Sequence, residues 1–255
     1  MTWRPGEDLL ALLDLAAPAA CAGCSRPGLR WCADCATSLH EGAAGAGPWS
    51  PTPRPPGLPP TWSGLAYAGS VRAAVVAWKD GGRADLTPIL APVLRTVLAT
   101  ALAGSLPHAD ALAAGDAVLL LPAPSGRAGT RARGEHRVAA LTRAAVRGIP
   151  RSGGSRPLEV LDGLRLVRRV QDQAGLGARA RAANLGGAVG VRTALADRLI
   201  GVPCVVVDDV VTTGATLAEC ARALRECGAG PVVAATLAAT RRRPRAGLPE
   251  ASRAD

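Results

Sequence analysis

The stretch Val205-Val206-Val207-Asp208-Asp209-Val210-Val211-Thr212-Thr213-Gly214-Ala215-Thr216-Leu217 decides the fold. Cys204–Val207 reads as a buried strand, and it delivers two adjacent carboxylates to its end. Ligands of open α/β sheets bind at that carboxyl edge. Small and hydroxyl residues follow, with Gly214 allowing the backbone to approach an anion. A helix beginning near Ala215 then presents unpaired N–H groups and the positive end of its dipole, which favour phosphate. Thr212, Thr213 and Thr216 add hydroxyl donors. Asp208 and Asp209 would repel a phosphate directly. They suit neutral hydroxyls, as on a ribose, or a Mg²⁺ held nearby. The segment therefore offers phosphate donors and hydroxyl acceptors a few residues apart, the pattern a ribose 5-phosphate requires. A strand–turn–helix with a capping threonine would account for part of this pattern, but not for all of it.

On either side of this segment, strand and helix signals alternate. A strand is expected at Leu65–Ala68, with helices over 71–79 and 85–103. Ala117–Leu121 is a continuous apolar run ending at Pro122, as in a buried parallel strand. A helix is expected over 138–147, strand-rich chain over 158–170 and a short helix over 178–185. After Cys204–Val207, a helix over 215–227 and a last strand over 232–237 complete the pattern. Such alternation predicts a doubly wound, mostly parallel α/β sheet. Upstream, leucines at 9, 10, 12, 13 and 15 mark a short amphipathic helix over 7–16. Pro48, Pro51, Pro53, Pro55, Pro56, Pro59 and Pro60 read as a stiff linker without regular structure. The expected division is 1–45, an N-terminal helix and cysteine module; 46–62, the linker; 63–240, the α/β domain; and 241–255, a basic disordered tail.

Cys21-Ala22-Gly23-Cys24 and Cys32-Ala33-Asp34-Cys35 form two CxxC pairs. Two such knuckles supply the four thiolates of a tetrahedral, structural Zn²⁺ site. The metal would replace a hydrophobic core that ~45 residues cannot build. His40, with four thiolates already available, is not expected as a ligand. Cys204, Cys220 and Cys227 fall on the expected strand and helix and read as core packing.

The chain has a formal charge of +10, and Lys79 is its only lysine. That balance is compatible with nucleic acid or with phosphorylated small ligands. Aromatic residues make up only 2%, which disfavours stacking platforms for single-stranded DNA. No run reaches the ~18 apolar residues of a membrane span. Acidic Glu7 and Asp8 precede the leucine-rich start, unlike a signal peptide. The chain reads as soluble and cytoplasmic.

Three further blocks carry basic residues and glycines. Lys79-Asp80-Gly81-Gly82-Arg83 ends a helix. Leu121-Pro122-Ala123-Pro124-Ser125 leaves a strand and is followed by Arg127, Arg131, Arg133, Gly134 and Arg137, a turn able to neutralise pyrophosphate. Gln171-Asp172-Gln173-Ala174-Gly175 leads to Arg179, Arg181 and Asn184, a candidate hood over a ligand. Lys79, Pro124, Ser125, Arg133, Gln173 and Arg181 are thus the pyrophosphate or hood candidates. His136 reads as a surface residue rather than an acid or base.

The segment around Asp208 and Asp209 resembles the phosphoribosyl-diphosphate (PRPP) binding motif of type I phosphoribosyltransferases. The resemblance implies that Asp208 and Asp209 bind the ribose 2- and 3-hydroxyls, and that Thr212, Thr213, Gly214, Ala215 and Thr216 cradle the 5-phosphate, with Mg²⁺ accompanying PRPP. With the cysteines, the order of blocks is similar to the ComF family of competence-associated proteins, over roughly 18–240. It implies a type I phosphoribosyltransferase-like sheet with a small N-terminal zinc ribbon. One departure is Arg133-Gly134-Glu135-His136-Arg137, where that family usually reads Arg-Gly-Phe-Asn-Gln. Two functions stay open. One is transfer of phosphoribosyl to an acceptor that no residue here names. The other is a non-enzymatic role in DNA uptake, with single-stranded DNA and competence-machinery proteins as partners.

Overall fold

The computed structural model describes residues 20–124, 136–149, 158–168 and 186–240. The expected helices over 7–16 and 178–185, and the tail over 241–255, lie outside the described residues.

Residues Ala33–Ala44 form α1, Gly47–Trp49 β1, Thr61–Ala66 β2, Gly69–Lys79 α2, Thr87–Ala103 α3 and Leu106–Ala114 α4. Val118–Pro122 is β3, Arg137–Arg147 α5, Leu158–Val160 β4, Leu164–Leu166 β5, Val189–Val191 β6, Cys204–Val211 β7, Ala215–Glu226 α6 and Val232–Ala239 β8. Among the described residues, six strands make one sheet in the order β1-β2-β8-β7-β3-β4, and β5 pairs with β6 in a separate antiparallel pair. Every neighbour in the large sheet is parallel except β1, which runs antiparallel to β2. The expected mixed α/β architecture with a mostly parallel central sheet is therefore present.

Both faces of the sheet are covered, which is why its strands are apolar throughout rather than alternating. All five residues of β3 are buried. Its side chains divide between two cores as the pleat dictates. Val118 and Leu120 join Val205, Val207, Leu94, Val97, Leu98 and Leu141 on the face covered by α3 and α5. Leu119 and Leu121 join Val206, Leu217, Cys220, Leu224 and Val189 on the face covered by α6 and β6. Leu39 and Ala43 of α1 belong to the first core, so the segment after the cysteines is packed into the main domain. Cys204 and Cys220 are fully buried, as expected of packing residues, while Cys227 is half-buried.

Four expectations change. The proline-rich stretch is not devoid of regular structure: Gly47–Trp49 forms an edge strand and β2 begins at Thr61, just past Pro60. An edge tolerates Pro48 because one side of β1 needs no ladder partner. The strand expected to stop at Val207 continues to Val211, because β8 stays alongside it, pairing Asp208 with Thr236 and Val211 with Ala239. α4 was not foreseen; it starts with Pro107 in its first turn and stops at Gly115, which is left-handed at φ +78°. Finally, among the described residues one helical stretch, Ala84–Ala103, is long and apolar enough to cross a membrane. Pro88, Pro92, Arg95 and three threonines interrupt it in sequence. In the fold it is a core helix, with Leu94, Val97, Leu98 and Ala101 wholly enclosed.

Candidate functional site

The site is built at the carboxyl edge of β7. β7 runs through Asp208 and Asp209 to Val211, and the turn over 212–214 leads into α6. Gly214 is the N-cap of that helix at φ +77°. A side chain there would be strained by this φ and would meet Leu58 Cδ1 at 2.9 Å. Leu58 and Pro55, from the proline-rich stretch, thus form the floor under the turn. Thr213 Oγ1 accepts the Ala215 N–H at 3.4 Å, a weak cap at the N-terminus of α6. Thr212 is exposed and Thr216 half-buried. Asp208 and residues 210–217 line one small cavity at the surface.

The two aspartates point to opposite sides of the strand, as successive strand residues do. Asp208 shares the cavity with the threonine turn, and its Oδ1 accepts the Asp209 N–H at 2.8 Å. Asp209 is 2% exposed, and its Oδ2 lies 2.5 Å from Lys79 Nζ at the end of α2. Its Oδ1 accepts the Val210 N–H at 2.8 Å. Lys79 is therefore more than a cation at a helix C-terminus: the chain's only lysine reaches the acid pair.

Charge at this edge is balanced rather than strongly negative. Burial, reinforced by the charge of Asp209, pushes the Asp208 carboxyl up to about 7. Burial works to lower Lys79, but the carboxylates of Asp209 and then Asp208 outweigh it and hold the ammonium above its ordinary value. Near neutral pH one carboxylate is matched by Lys79 and the other is partly protonated.

Neighbouring strand ends add to the edge. Ala123 donates to Val207 O at 2.7 Å, so Pro124 lies beside β7 just past β3. His136 is not a surface residue: its side chain is 15% exposed. Its Nε2 contacts Ala123 O at 3.1 Å. Burial lowers its pKa. Its Nδ1 lies 4.0 Å from Asp162, which also faces Arg192 at 3.7 Å. His136, as the N-cap residue of α5, thus ties that helix to the end of β3. Arg137 is buried in the first turn of α5 and donates to Gly82 O at 3.4 Å. Sequence reasoning missed Asp162 and Arg192. Only their positions beyond the apolar runs of β4 and β6 could have flagged them. Ser125, Arg133, Gln173 and Arg181 lie outside the described residues.

The four cysteines come together as their spacing requires. The Sγ atoms of Cys21, Cys24, Cys32 and Cys35 all lie within 4.8 Å of one another. Tetrahedral Zn–S bonds of ≈2.3 Å place sulfurs about 3.8 Å apart, and Cys24 Sγ and Cys32 Sγ are 3.6 Å apart. The Cys32 N–H points at Cys21 Sγ, 3.4 Å away. Despite burial, such backbone N–H groups draw the Cys21 thiol down to about 6. Gly23 has no room for a side chain, since a Cβ would lie 2.7 Å from Cys35 Sγ. The cluster suits a thiophilic ion such as zinc.

Residues 161–251 match the family model for the phosphoribosyl transferase domain. That stretch contains β5 to β8, α6 and the acid pair. The sheet, the edge geometry and this match together define a phosphoribosyltransferase-like fold preceded by a four-cysteine cluster. A search of the curated proteins found no match.

Proposed function

We propose that the protein binds PRPP, or a closely related ribose 5-phosphate, at the edge formed by Asp208, Asp209 and residues 212–216. The observation that carries this reading is the shared cavity of Asp208 and the threonine turn at the N-terminus of α6. It sets a hydroxyl acceptor beside phosphate donors in one cavity. Asp208 accepts ribose hydroxyls directly. Asp209, on the other side of the strand, holds Lys79 until the ammonium turns to the diphosphate of the ligand, exchanging one anionic partner for another. Pro124 and Arg137 frame the diphosphate side, and Mg²⁺ enters with the ligand as its counter-ion.

Transfer of the phosphoribosyl group to an acceptor is the reaction this arrangement serves. The protein's part is to hold the ribose and orient the leaving diphosphate. The cysteine cluster ahead of the fold, and the order of the basic blocks, support placing the chain beside ComF proteins, with action in the cytoplasm.

The test is calorimetric titration of PRPP with Mg²⁺ into the zinc-loaded protein, with Asp208→Asn/Asp209→Asn as control. Micromolar binding that the double variant abolishes is the expected result. A folded wild-type protein that takes up no PRPP overturns the reading. Salt-sensitive binding of single-stranded DNA in its place would favour the DNA-uptake role.

A further inference from the structure

Lys79 reaches Asp209 from the last residue of α2, and the turn after it runs back to the cysteine cluster. The chain after Lys79 turns sharply. Asp80 and Gly81 N–H groups both return to Val76 O, and Gly82 is left-handed at φ +74°. A Cβ on Gly81 would lie 2.8 Å from Ala77 O. Arg83 closes this turn. Its guanidinium grips Asp85 with two bonds of 2.8 Å. The same group donates to Ala20 O at 3.3 Å and to Arg30 O at 3.2 Å.

Those two carbonyls flank the knuckles, Ala20 preceding Cys21 and Arg30 standing two residues before Cys32. Arg30 O also accepts the Ala22 N–H at 3.1 Å, which binds one knuckle to the other. The two acceptors stay within reach of one guanidinium while the knuckles are drawn together, and a metal held by four thiolates would reinforce that closure. A cation also belongs there, since four thiolates around a divalent ion leave net negative charge. The other end of α2 meets the same cluster, where a Cβ on Gly23 would come within 3.2 Å of Ser70.

We propose that Arg83 is a positioning residue for the sugar-phosphate edge: it links the metal-organised knuckles to the turn after Lys79 and thereby sets the Lys79 ammonium against Asp209. Zinc in this protein then does more than stabilise an appendage. Its loss releases α2 at both ends and lets Lys79 leave the acid pair. The consequence for ligands rests on the reading of Asp208 to Thr216 as a ribose-phosphate site; the geometry of Lys79 does not.

The single lysine makes the test direct. The zinc-loaded protein is treated with a limiting amine-acetylating ester at pH 8, and the Lys79 peptide is followed by mass spectrometry against the N-terminal amine. An ammonium held by a carboxylate acetylates slowly. Asp209→Asn, which removes the carboxylate, defines the released rate. Arg83→Gln, and wild type stripped by a chelator, are expected to acetylate several-fold faster, approaching that rate. Arg198→Gln, which loses an exposed ion pair with Glu159 elsewhere, is expected to stay at the wild-type rate, separating positioning from general loosening. Arg83→Gln acetylated at the wild-type rate with its zinc retained would overturn the proposal. So would an Asp209→Asn rate equal to wild type. Since no ligand is present, a protein that fails to bind PRPP overturns the functional reading and leaves this test standing.

Discussion

Lys79→Met and Asp209→Asn remove the two halves of one ion pair, yet they should not cost the same. Asp209 is 2% exposed, whereas the Lys79 side chain is 41% exposed. Without Lys79, a buried carboxylate is left without its cation, and breaking a buried pair from that side costs ~3–5 kcal/mol. The Val210 N–H still solvates one oxygen, so the lower end, ~3 kcal/mol, is expected. Without the Asp209 charge, the ammonium swings into solvent and an asparagine oxygen still accepts the Val210 N–H. The expected cost is about 1 kcal/mol. The double variant leaves neither charge stranded. Its cost should fall about 2 kcal/mol below the sum of the single costs, a coupling within the range for residues in contact. Urea denaturation of the four proteins at one pH, with zinc present, measures the cycle. The midpoint of thermal unfolding should drop by roughly 6–12 °C for Lys79→Met, at about 2–4 °C per kcal/mol for a domain of this size. Equal single costs, or a cycle that closes with no coupling, would refute the view of a buried acid held by a half-exposed lysine.

Other outcomes follow from the same geometry. The folded-state Asp208 carboxyl is raised from 3.8 to about 7, so its ionisation costs stability increasingly above roughly pH 4, and the loss is complete above about pH 7. Denaturation across that window should show Asp208→Asn gaining on wild type as pH rises. Affinity for a ribose 5-phosphate should gain a rise near pH 7 that Asp208→Asn lacks. Gly214→Ala should cost ~1–3 kcal/mol through its left-handed φ and its contact with Leu58, and should weaken ribose phosphate binding. Adding Leu58→Ala should relieve the contact but not the backbone strain, as denaturation and calorimetry together will show. Cys21→Ser should abolish a stoichiometric zinc measured by atomic emission. It should also lower the melting midpoint of the whole chain, because Leu39 and Ala43 of α1 lie in the main core. Glu219→Gln should destabilise by ~2–3 kcal/mol, since Glu219 is buried, bonds Arg222 at 2.7 Å and holds the Val189 N–H at 3.1 Å.

The elements nearest the site were legible because their signals are local. The runs of β3, β7 and β8 are continuous and apolar, and α6 shows helical periodicity beyond a glycine. The paired CxxC spacing fixes a ligand set within 15 residues. Elements with weak local signals were lost. β1 and β6 are three residues each and gain their pairing only from a neighbouring strand. The length of β7 was also not local information, since Asp208 to Val211 extend because β8 is there to receive them.

The class of sheet, the acid pair followed by a threonine-glycine turn, and the four thiolates are all legible in residue order alone. Each is a pattern of residue types at short spacing, and short spacing constrains geometry directly. Only the tertiary structure decided how the parts divide their work. It assigned Asp208 to the cavity and Asp209 to Lys79, 130 residues away. It turned a proline-rich stretch into the floor under Gly214, and it joined the cysteine knuckles to Arg83. Those assignments depend on burial and on contacts between distant segments. Asp209 is enclosed and Asp208 half-buried because of what the elements on each face of the sheet cover.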